Sequence, residues 1–300
     1  MYVILGATGN TGSVATETLL AKKQQVRVVG RSKEHLSRFT SRGAEGVVAD
    51  VTDSAALSKA FKGARAVFAM IPPNITSNDV HAYQDQVANS ICHALEAAKV
   101  AHVVALSSVG ADKPDKTGPV VGLHNFEKRL KQVPHLNALH IRAGYFMENT
   151  LAQAGIIKNL GKTAGPLRAD LAVPAIAARD IGAVVAEALL NLDFTGQQTH
   201  ELLGQRDLTY SEMTKIIGGI IGKPDLTYVQ LPADQVVQAL MQMGMSKNMA
   251  TSLCEMSDSL NNGYMRALEP RSPKNTTPTS YEDFVRTVFV PAYKGQAAKA

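Results

Sequence analysis

Three glycines follow the first apolar run of the chain at a spacing that suits phosphate binding. The segment VILGATGNTGSVA, residues 3–15, carries Gly6, Gly9 and Gly12 between a strand-like and a helix-like sequence. There the first glycine permits a tight turn, the second lets the backbone approach a pyrophosphate, and the third lets helix and strand pack closely. A turn that merely tolerates glycine is the simpler alternative. The predicted cofactor-binding residues of this loop are Gly6, Thr8, Gly9, Asn10, Thr11 and Gly12.

A cation after the second predicted strand indicates which dinucleotide would be bound. The strand ends in VVGRS, residues 28–32, so Arg31 stands where an acid would bind the ribose 2′-hydroxyl of NAD. A guanidinium at that point can pair with a 2′-phosphate, and we therefore predict NADP(H) as cofactor, with Ser32 beside it. A solvated arginine at a strand end is the alternative.

The ends of the third and fourth predicted strands supply further candidate contacts. VVADVTD, residues 47–53, places Asp50 and Val51 where an adenine ring could lie, and Asp50 could accept a hydrogen bond from its amine. Asp53 is interpreted as the cap of the next helix. FAMIPPN, residues 68–74, contains two prolines that stiffen a loop beside the cofactor. Backbone contacts are predicted from Met70, Ile71 and Pro72.

The elements that must position these residues alternate in type. Short β-branched or aliphatic runs are followed by longer amphipathic stretches, which is typical of a parallel sheet covered by helices on both faces. We therefore predict an α/β fold, a Rossmann-type doubly wound parallel sheet that binds ligands beyond the carboxyl ends of its strands. The predicted strands are residues 2–5, 26–29, 46–49, 66–70, 102–106 and 138–141.

The alternation loosens in the second half of the chain. We predict an NAD(P)-binding Rossmann domain over residues 1–150 and a smaller α/β lobe on the substrate side over 151–300, from which residues 177–203 return to the first domain. One helix is predicted over 148–160 and further helices across 233–268. The methionine-rich stretch 241–249 is interpreted as adaptable packing or as a pliable lid. The small, polar tail 295–300 is predicted to be frayed.

Composition excludes several classes of function. No apolar run approaches the roughly 18 residues of a membrane span, and no basic region precedes the first strand, so we expect a cytoplasmic protein without a membrane segment. The net charge is +5, but Lys and Arg are scattered, and we expect no direct nucleic-acid binding. Cys92, Cys254 and the eight histidines form no metal-ligand pattern, and no metal site is predicted.

Several motifs in fixed order resemble one family. The chain resembles the NmrA-like family of atypical short-chain dehydrogenases/reductases in the motifs GATGNTG, GRS, AD(V), ALSSVGA, a lysine within HNFEK, and IRAGYFMEN. RDIG at residues 179–182 and TSYEDFV at 279–285 extend the resemblance. It implies a Rossmann domain that has a small C-terminal lobe, and binding of NADP(H) or NAD(P). Members of the family include NADPH-dependent quinone, azo-compound and dye reductases, and nucleotide-sensing regulators without turnover.

The resemblance also implies residues at the nicotinamide end. It places Lys128 at the nicotinamide ribose and the backbone of Tyr145 and Phe146 against the nicotinamide. Phe146, Met147 and Asn149 would then face the substrate. Independently, the predicted topology puts Ser107 and Ser108, after the fifth strand, beside the nicotinamide, although their hydroxyls could equally cap a loop.

The expected catalytic tyrosine is missing. A typical short-chain dehydrogenase carries a tyrosine four residues before a lysine on one helix, so that both point into one cleft. Four residues before Lys128 stands His124, and the chain has no tyrosine between Tyr83 and Tyr145. His124 could donate a proton, because an unperturbed imidazole titrates near neutrality, or it could be a surface histidine. Lys128 could likewise be a solvated helix residue.

A conjugated acceptor can take hydride without such a tyrosine. We therefore predict an NADPH-dependent oxidoreductase that reduces a small-molecule conjugated acceptor such as a quinone or an azo compound, within a dry pocket. The alternative is a non-catalytic NAD(P)-sensing regulator that acts through a protein partner. A homodimer is compatible with either prediction.

Overall fold

The computed structural model describes residues 1–296 of the 300-residue chain, so the predicted frayed tail lies mostly outside the described residues. The strands are β1 (Tyr2–Leu5), β2 (Val26–Gly30), β3 (Glu45–Val48), β4 (Ala66–Ala69), β5 (His102–Ser108), β6 (Asn137–Ala143), β7 (Tyr145–Phe146), β8 (Thr163–Gly165), β9 (Ala172–Ile176), β10 (Gln197–Leu202), β11 (Arg206–Thr209) and β12 (Tyr228–Gln230).

Helices connect most of these strands. They are α1 (Asn10–Ala21), α2 (Lys33–Thr40), α3 (Ser54–Phe61), α4 (Val80–Ala97), α5 (Val120–Leu130), α6 (Gln153–Leu160), α7 (Ala178–Asn191), α8 (Tyr210–Ile221), α9 (Ala233–Gln242), α10 (Lys247–Asn261), α11 (Tyr281–Phe284) and α12 (Val290–Tyr293). A 3-10 helix, Met147–Ala152, precedes α6, and a π-helical segment, Val285–Phe289, joins α11 to α12.

A seven-stranded sheet forms the centre of the fold. Its strand order is β3-β2-β1-β4-β5-β6-β10, and each neighbouring pair is parallel. The chain moves outward from β1 through β2 to β3 and then returns to the other side of β1 as β4. That reversal opens a crevice at the carboxyl ends of β1 and β4. The predicted doubly wound Rossmann-type sheet is therefore confirmed.

Both faces of the sheet are buried. In β1 the side chains of Tyr2 and Ile4 belong to one core cluster, and those of Val3 and Leu5 belong to another. This period of two explains why YVIL is apolar at every position. The first cluster includes side chains of α1 and α7, and the second includes side chains of α3, α4 and α5.

The second half of the chain builds a smaller lobe and also completes the sheet. Strands β11, β9 and β7 form a three-stranded sheet, and β12 pairs with β8. Met147, Met213, Ile217, Tyr281 and Phe289 lie in the core of this lobe. Between these elements, β10 pairs with β6 and α7 packs against α1. The division of domains at residue 150 stays a prediction.

Two predicted helices differ from those observed. The helix predicted over 148–160 begins as the 3-10 turn, in which the Glu148 carboxylate accepts hydrogen bonds from Ala178 N at 3.0 and 3.1 Å. The helical region predicted across 233–268 ends with α10 at Asn261. Beyond it, Gly263 has a φ of 76° and Pro270 provides no N–H donor, and neither feature suits a continuing helix.

Gly182 in α7 provides a test of the packing that supports α1. A Cβ atom there would lie 2.7 Å from both Thr11 O and Val14 Cβ. We expect Gly182→Ala to lower the free energy of unfolding by about 1 to 3 kcal/mol, because these helices would have to separate. Urea denaturation measures the effect.

Gly155→Ala in α6 is the matched control. A Cβ atom at Gly155 meets no heavy atom within 4 Å. This variant should be unchanged, or stabilised by up to about 1 kcal/mol through higher helix propensity. Equal stability of the two variants would contradict the close contact of α1 and α7.

Candidate active site

The glycine loop is a tight turn with no room for side chains at its centre. Gly6 has a φ of 62°, in the left-handed region, and Gly9 N donates a hydrogen bond to Gly6 O at 2.9 Å. A Cβ atom on Gly12 would lie 2.3 Å from Gly6 O, which no side chain could tolerate. The loop therefore requires glycine at positions 6 and 12 for different reasons, one conformational and one steric.

The first turn of α1 presents its N–H groups to an open surface. Gly9 is the N-cap and supplies no capping side chain, and the first turn contains no acidic residue. Thr8, Gly9 and Asn10 are exposed, whereas Thr11 and Gly12 are buried beneath them. An uncapped helix start at the carboxyl edge of a parallel sheet fits a pyrophosphate, because its N–H groups lack partners and the helix dipole favours an anion.

The residues predicted to bind the adenosine end lie on neighbouring strand ends. Arg31 is exposed, and its charge contributes to lowering the pKa of Asp50, so the two side chains are near each other. The larger cause of that lowered pKa is hydrogen bonding from Thr52, whose Oγ1 and N lie 2.7 and 2.9 Å from Asp50 Oδ1. Asp50 therefore retains Oδ2 for an adenine amine, and Val51 follows it, half-buried.

Two polar residues that closely follow Arg31 and Asp50 in the sequence act as helix caps. Ser32 Oγ accepts a hydrogen bond from His35 N at 3.3 Å and caps α2. Asp53 Oδ1 accepts from the N–H groups of Ala55 and Ala56 and caps α3, as predicted. Ser32 thus already has a structural role beside Arg31.

An inner groove of about 220 Å³ lies beside the glycine loop. A Cβ atom on Gly6 would lie 3.0 Å from the sulfur atom of Met70, so the loop and the groove adjoin. The groove collects the predicted residues after β4, β5 and β6. Its lining includes Met70, Ile71, Pro72, Tyr83, Gln84, Ser107, Ser108, Leu123, Phe146 and Met249.

A larger, mostly apolar cavity of about 440 Å³ lies on the other side of Phe146. Its lining includes Tyr145, Asn149, Leu171, Val173, Pro174, Leu203, Met256, Leu260 and Met265. Ser108 and Phe146 line both the groove and this apolar cavity. A ligand in the groove and a ligand in the cavity would therefore meet at these two residues, at the carboxyl edge of the sheet.

The methionine-rich stretch divides between surface and site. Met241 and Met243 are exposed, whereas Met249 is buried and lines the groove. Met256, further along α10, lines the apolar cavity. Helix α10 therefore borders both compartments.

A buried ionic cluster lies directly behind the groove. Glu127 on α5 is 3% exposed and accepts hydrogen bonds from Ser107 Oγ at 2.6 Å and from Arg142 Nε and Nη2 at 3.0 and 2.7 Å. Burial alone would raise the pKa of Glu127, but the hydrogen bonds from Arg142 and Ser107 outweigh it and lower the pKa. The cluster fixes the end of β5 against the end of β6, just before β7, since Ser107 lies on β5 and Arg142 on β6.

The two residues predicted to be catalytic are not brought together at the junction. Lys128 is exposed and is absent from the linings of the groove and the cavity within the described part of the chain. His124 Nδ1 lies 2.9 Å from Ala111 O, which can only accept, so this nitrogen carries the proton.

The predicted substrate-facing residues also separate. Tyr145, Phe146 and Asn149 line the apolar cavity, but Met147 is 1% exposed and packs in the core of the smaller lobe. A substrate contact from Met147 has no support here, because this first residue of the 3-10 helix packs into the core of the smaller lobe.

Sequence reasoning missed Glu127 and the wall supplied by α10. Glu127 lies between Leu123 and Leu130 at helical spacing, so an acid on an apolar helix face was the available signal. Among residues 1–296 no helix is sufficiently long and apolar to span a membrane, and no group of three His, Cys, Asp or Glu residues could hold a metal ion.

The strand order places the glycine loop at the point where the sheet reverses, and the groove lies beside this loop. Together these features define a Rossmann-type α/β protein. Residues 2–284 match the NmrA-like family, and the chain belongs to that family, which confirms the resemblance.

Three known proteins are similar to the chain over most of their length. An NAD(P)H azoreductase from Xenophilus azovorans is 26% identical, over 85% of this chain and 86% of the relative. A (4-alkanoyl-5-oxo-2,5-dihydrofuran-3-yl)methyl phosphate reductase from Streptomyces griseus subsp. griseus is 29% identical, over 80% of each. The crystal structure of an NADPH-dependent quinone oxidoreductase from Escherichia coli, complexed with NADPH, has a TM-score of 0.81 at 23% identity, covering 96% of this chain and 100% of that one.

The ionic cluster makes a pH-dependent prediction. Replacing Glu127 by Gln leaves Arg142 without its carboxylate, and we expect a loss of about 3 kcal/mol in the free energy of unfolding at pH 7. Because the pKa of Glu127 in the folded protein is below its usual 4.5, the ion pair stabilises the fold above that pH. Its contribution is lost as the pH falls through the lowered value, so the two proteins should converge in acid.

Denaturant titrations at several pH values measure this difference. Asp170→Asn is the control, because Asp170 pairs with Arg168 in a solvent-exposed ion pair that should contribute nothing measurable. A constant difference between the wild type and Glu127→Gln down to strongly acidic pH would contradict the assigned pKa.

Proposed function

We propose that this chain is an NADPH-dependent reductase that transfers hydride to a conjugated acceptor such as a quinone or an azo compound. One observation carries the proposal: the groove beside the glycine loop meets a mostly apolar cavity at Ser108 and Phe146. This arrangement would hold two ligands end to end, as hydride transfer requires. The azoreductase and quinone oxidoreductase relatives support the same class of reaction.

The described residues fit a dinucleotide from one end to the other. The uncapped start of α1 suits the pyrophosphate, and Arg31 suits the 2′-phosphate, since no carboxylate within residues 1–296 lies within 4.0 Å of its guanidinium. The loop from Met70 to Pro72, with Ser107 and the backbone of Tyr145 and Phe146, would hold the nicotinamide end. Lys128, predicted to lie at the nicotinamide ribose, is exposed on α5 outside the lining of the groove, and its contact stays a prediction.

The chain's own residues supply position and an apolar surface. The cofactor, when bound, supplies the hydride. Leu171, Val173 and Leu203 offer the acceptor apolar contacts in the cavity that Phe146 also lines. An electron-poor conjugated acceptor needs little acid assistance, which suits an α5 helix that carries His124 where a tyrosine is usual.

A direct assay tests the proposal. NADPH absorbance is followed with a panel of quinones, azo compounds and cationic triphenylmethane dyes, and turnover by the wild type is expected. Gly12→Ala should abolish it, because the new Cβ would collide with Gly6 O. NADPH binding without oxidation across the panel would contradict the reductase and favour a nucleotide-sensing regulator.

Arg31→Ala tests the choice of nucleotide. Loss of one charge-assisted contact of about 1.5 to 3 kcal/mol should weaken NADPH binding roughly ten- to a hundredfold and leave NADH nearly unchanged. Fluorescence titration with each nucleotide measures both dissociation constants. Lys22→Ala, at the far end of α1, is the charge-matched control and should alter neither. Equal losses for both nucleotides in Arg31→Ala would remove the assignment to the 2′-phosphate.

A further inference from the structure

Two phenols meet in the wall of the apolar cavity. Tyr145 lines the cavity and directly precedes Phe146, the residue shared with the groove. Its hydroxyl oxygen lies 2.6 Å from that of Tyr210, which is buried at the start of α8. Asn149, on the same cavity wall, lies beside the Tyr145 hydroxyl. The Tyr145 hydroxyl thus belongs to the wall of a mostly apolar cavity, one residue from the junction.

The surroundings decide which phenol donates. Within residues 1–296 the Tyr210 hydroxyl has no other hydrogen-bond partner. The hydroxyl of the neighbouring Tyr228 donates instead to Leu167 O at 2.7 Å. If Tyr145 donated to Tyr210, the hydrogen of Tyr210 would be buried without an acceptor. Tyr210 is therefore the donor, and the hydrogen of Tyr145 remains available on the side of Asn149 and the cavity.

We propose that Tyr145 Oη donates a hydrogen bond to an oxygen atom of the acceptor, and that the preferred substrates are conjugated carbonyl compounds such as quinones. The inference rests on the proposed reductase function. It names a catalytic residue on the strand after β6 in place of the tyrosine that α5 lacks. The bond from Tyr210 polarises the Tyr145 hydroxyl and strengthens its donation.

The reaction balances without ionising Tyr145. The acceptor gains a hydride at the junction, which carries two electrons, and the dinucleotide is left oxidised. Negative charge then develops on the acceptor oxygen, where the hydrogen bond from Tyr145 stabilises it, and one proton from water completes the reduced product. Burial raises the pKa values of Tyr145 and Tyr210, so both phenols stay protonated and act as hydrogen-bond donors.

Two acceptors distinguish this role from general binding. Reduction of a quinone creates charge on oxygen, whereas a cationic triphenylmethane dye takes hydride on carbon and becomes neutral without any proton. In Tyr145→Phe we expect the ratio of quinone to dye kcat to fall about ten- to a hundredfold, the effect of one hydrogen bond to a charged oxygen. Fluorescence titration should give an unchanged dissociation constant for NADPH.

Two further variants complete the test. Tyr228→Phe is the matched control, because its hydroxyl is bound to Leu167 O outside the cavity lining, and the ratio should not change. Tyr210→Phe keeps the Tyr145 hydroxyl but removes its donor, and the ratio should fall roughly two- to fivefold. Tyr210→Phe also tests the proposal if thermal melting shows that Tyr145→Phe is unfolded.

The outcomes separate the two proposals. Suppose that the wild type oxidises NADPH and that folded Tyr145→Phe has an unchanged ratio of quinone to dye kcat. This result would overturn the role of Tyr145 alone. If Tyr145→Phe does not fold, an unchanged ratio in Tyr210→Phe would do the same. A wild type that binds NADPH but reduces neither acceptor would overturn the reductase itself and this inference with it.

Discussion

The close approach of Gly12 to the carbonyl oxygen of Gly6 is the contact on which the rest of the site depends. It lets α1 begin directly above the end of β1, and α1 in turn lies against α7 at Gly182. The first turn of α7 is tied to Glu148 through Ala178 N, and Glu148 follows Phe146 by two residues. A continuous series of packing contacts and hydrogen bonds thus connects the glycine loop with the junction of the groove and the cavity, although the two lie far apart along the chain.

Helix α10 sets the width of both compartments. Met249 borders the groove, while Met256 and Leu260 border the apolar cavity. Near its start, Asn248 Oδ1 accepts from Val80 N at 2.9 Å, and near its end Ser259 bonds to Lys116 O. The smaller lobe is therefore positioned by hydrogen bonds to loops at the carboxyl edge of the sheet, beside the site it covers.

Local patterns predict local elements well and long-range contacts poorly. The strand predicted over residues 2–5 is observed as β1, and Asp53 caps α3 as predicted, because both signals lie within a few residues of sequence. Strands of two or three residues, such as β7 and β8, are too short to show a period of two.

Glu127 and Lys128 are about 100° apart on α5, so a shift of one residue decides which side chain faces the sheet. The partners that bury Glu127 lie on β5 and β6. The motif resemblance favoured the lysine, and only the packing of α5 shows the role of the acid.

The place of β10 in the sheet makes the two halves of the chain inseparable. Its pairing with β6 follows an excursion of more than 50 residues through the smaller lobe. A fragment ending at residue 150 would lack β10 and α7, leaving the N–H and C=O groups of β6 unpaired along an edge and the apolar surface of α1 uncovered. Such an edge recruits strands from other molecules, so a polypeptide that contains every nucleotide-binding motif would be expected to aggregate instead of folding as an independent nucleotide-binding module.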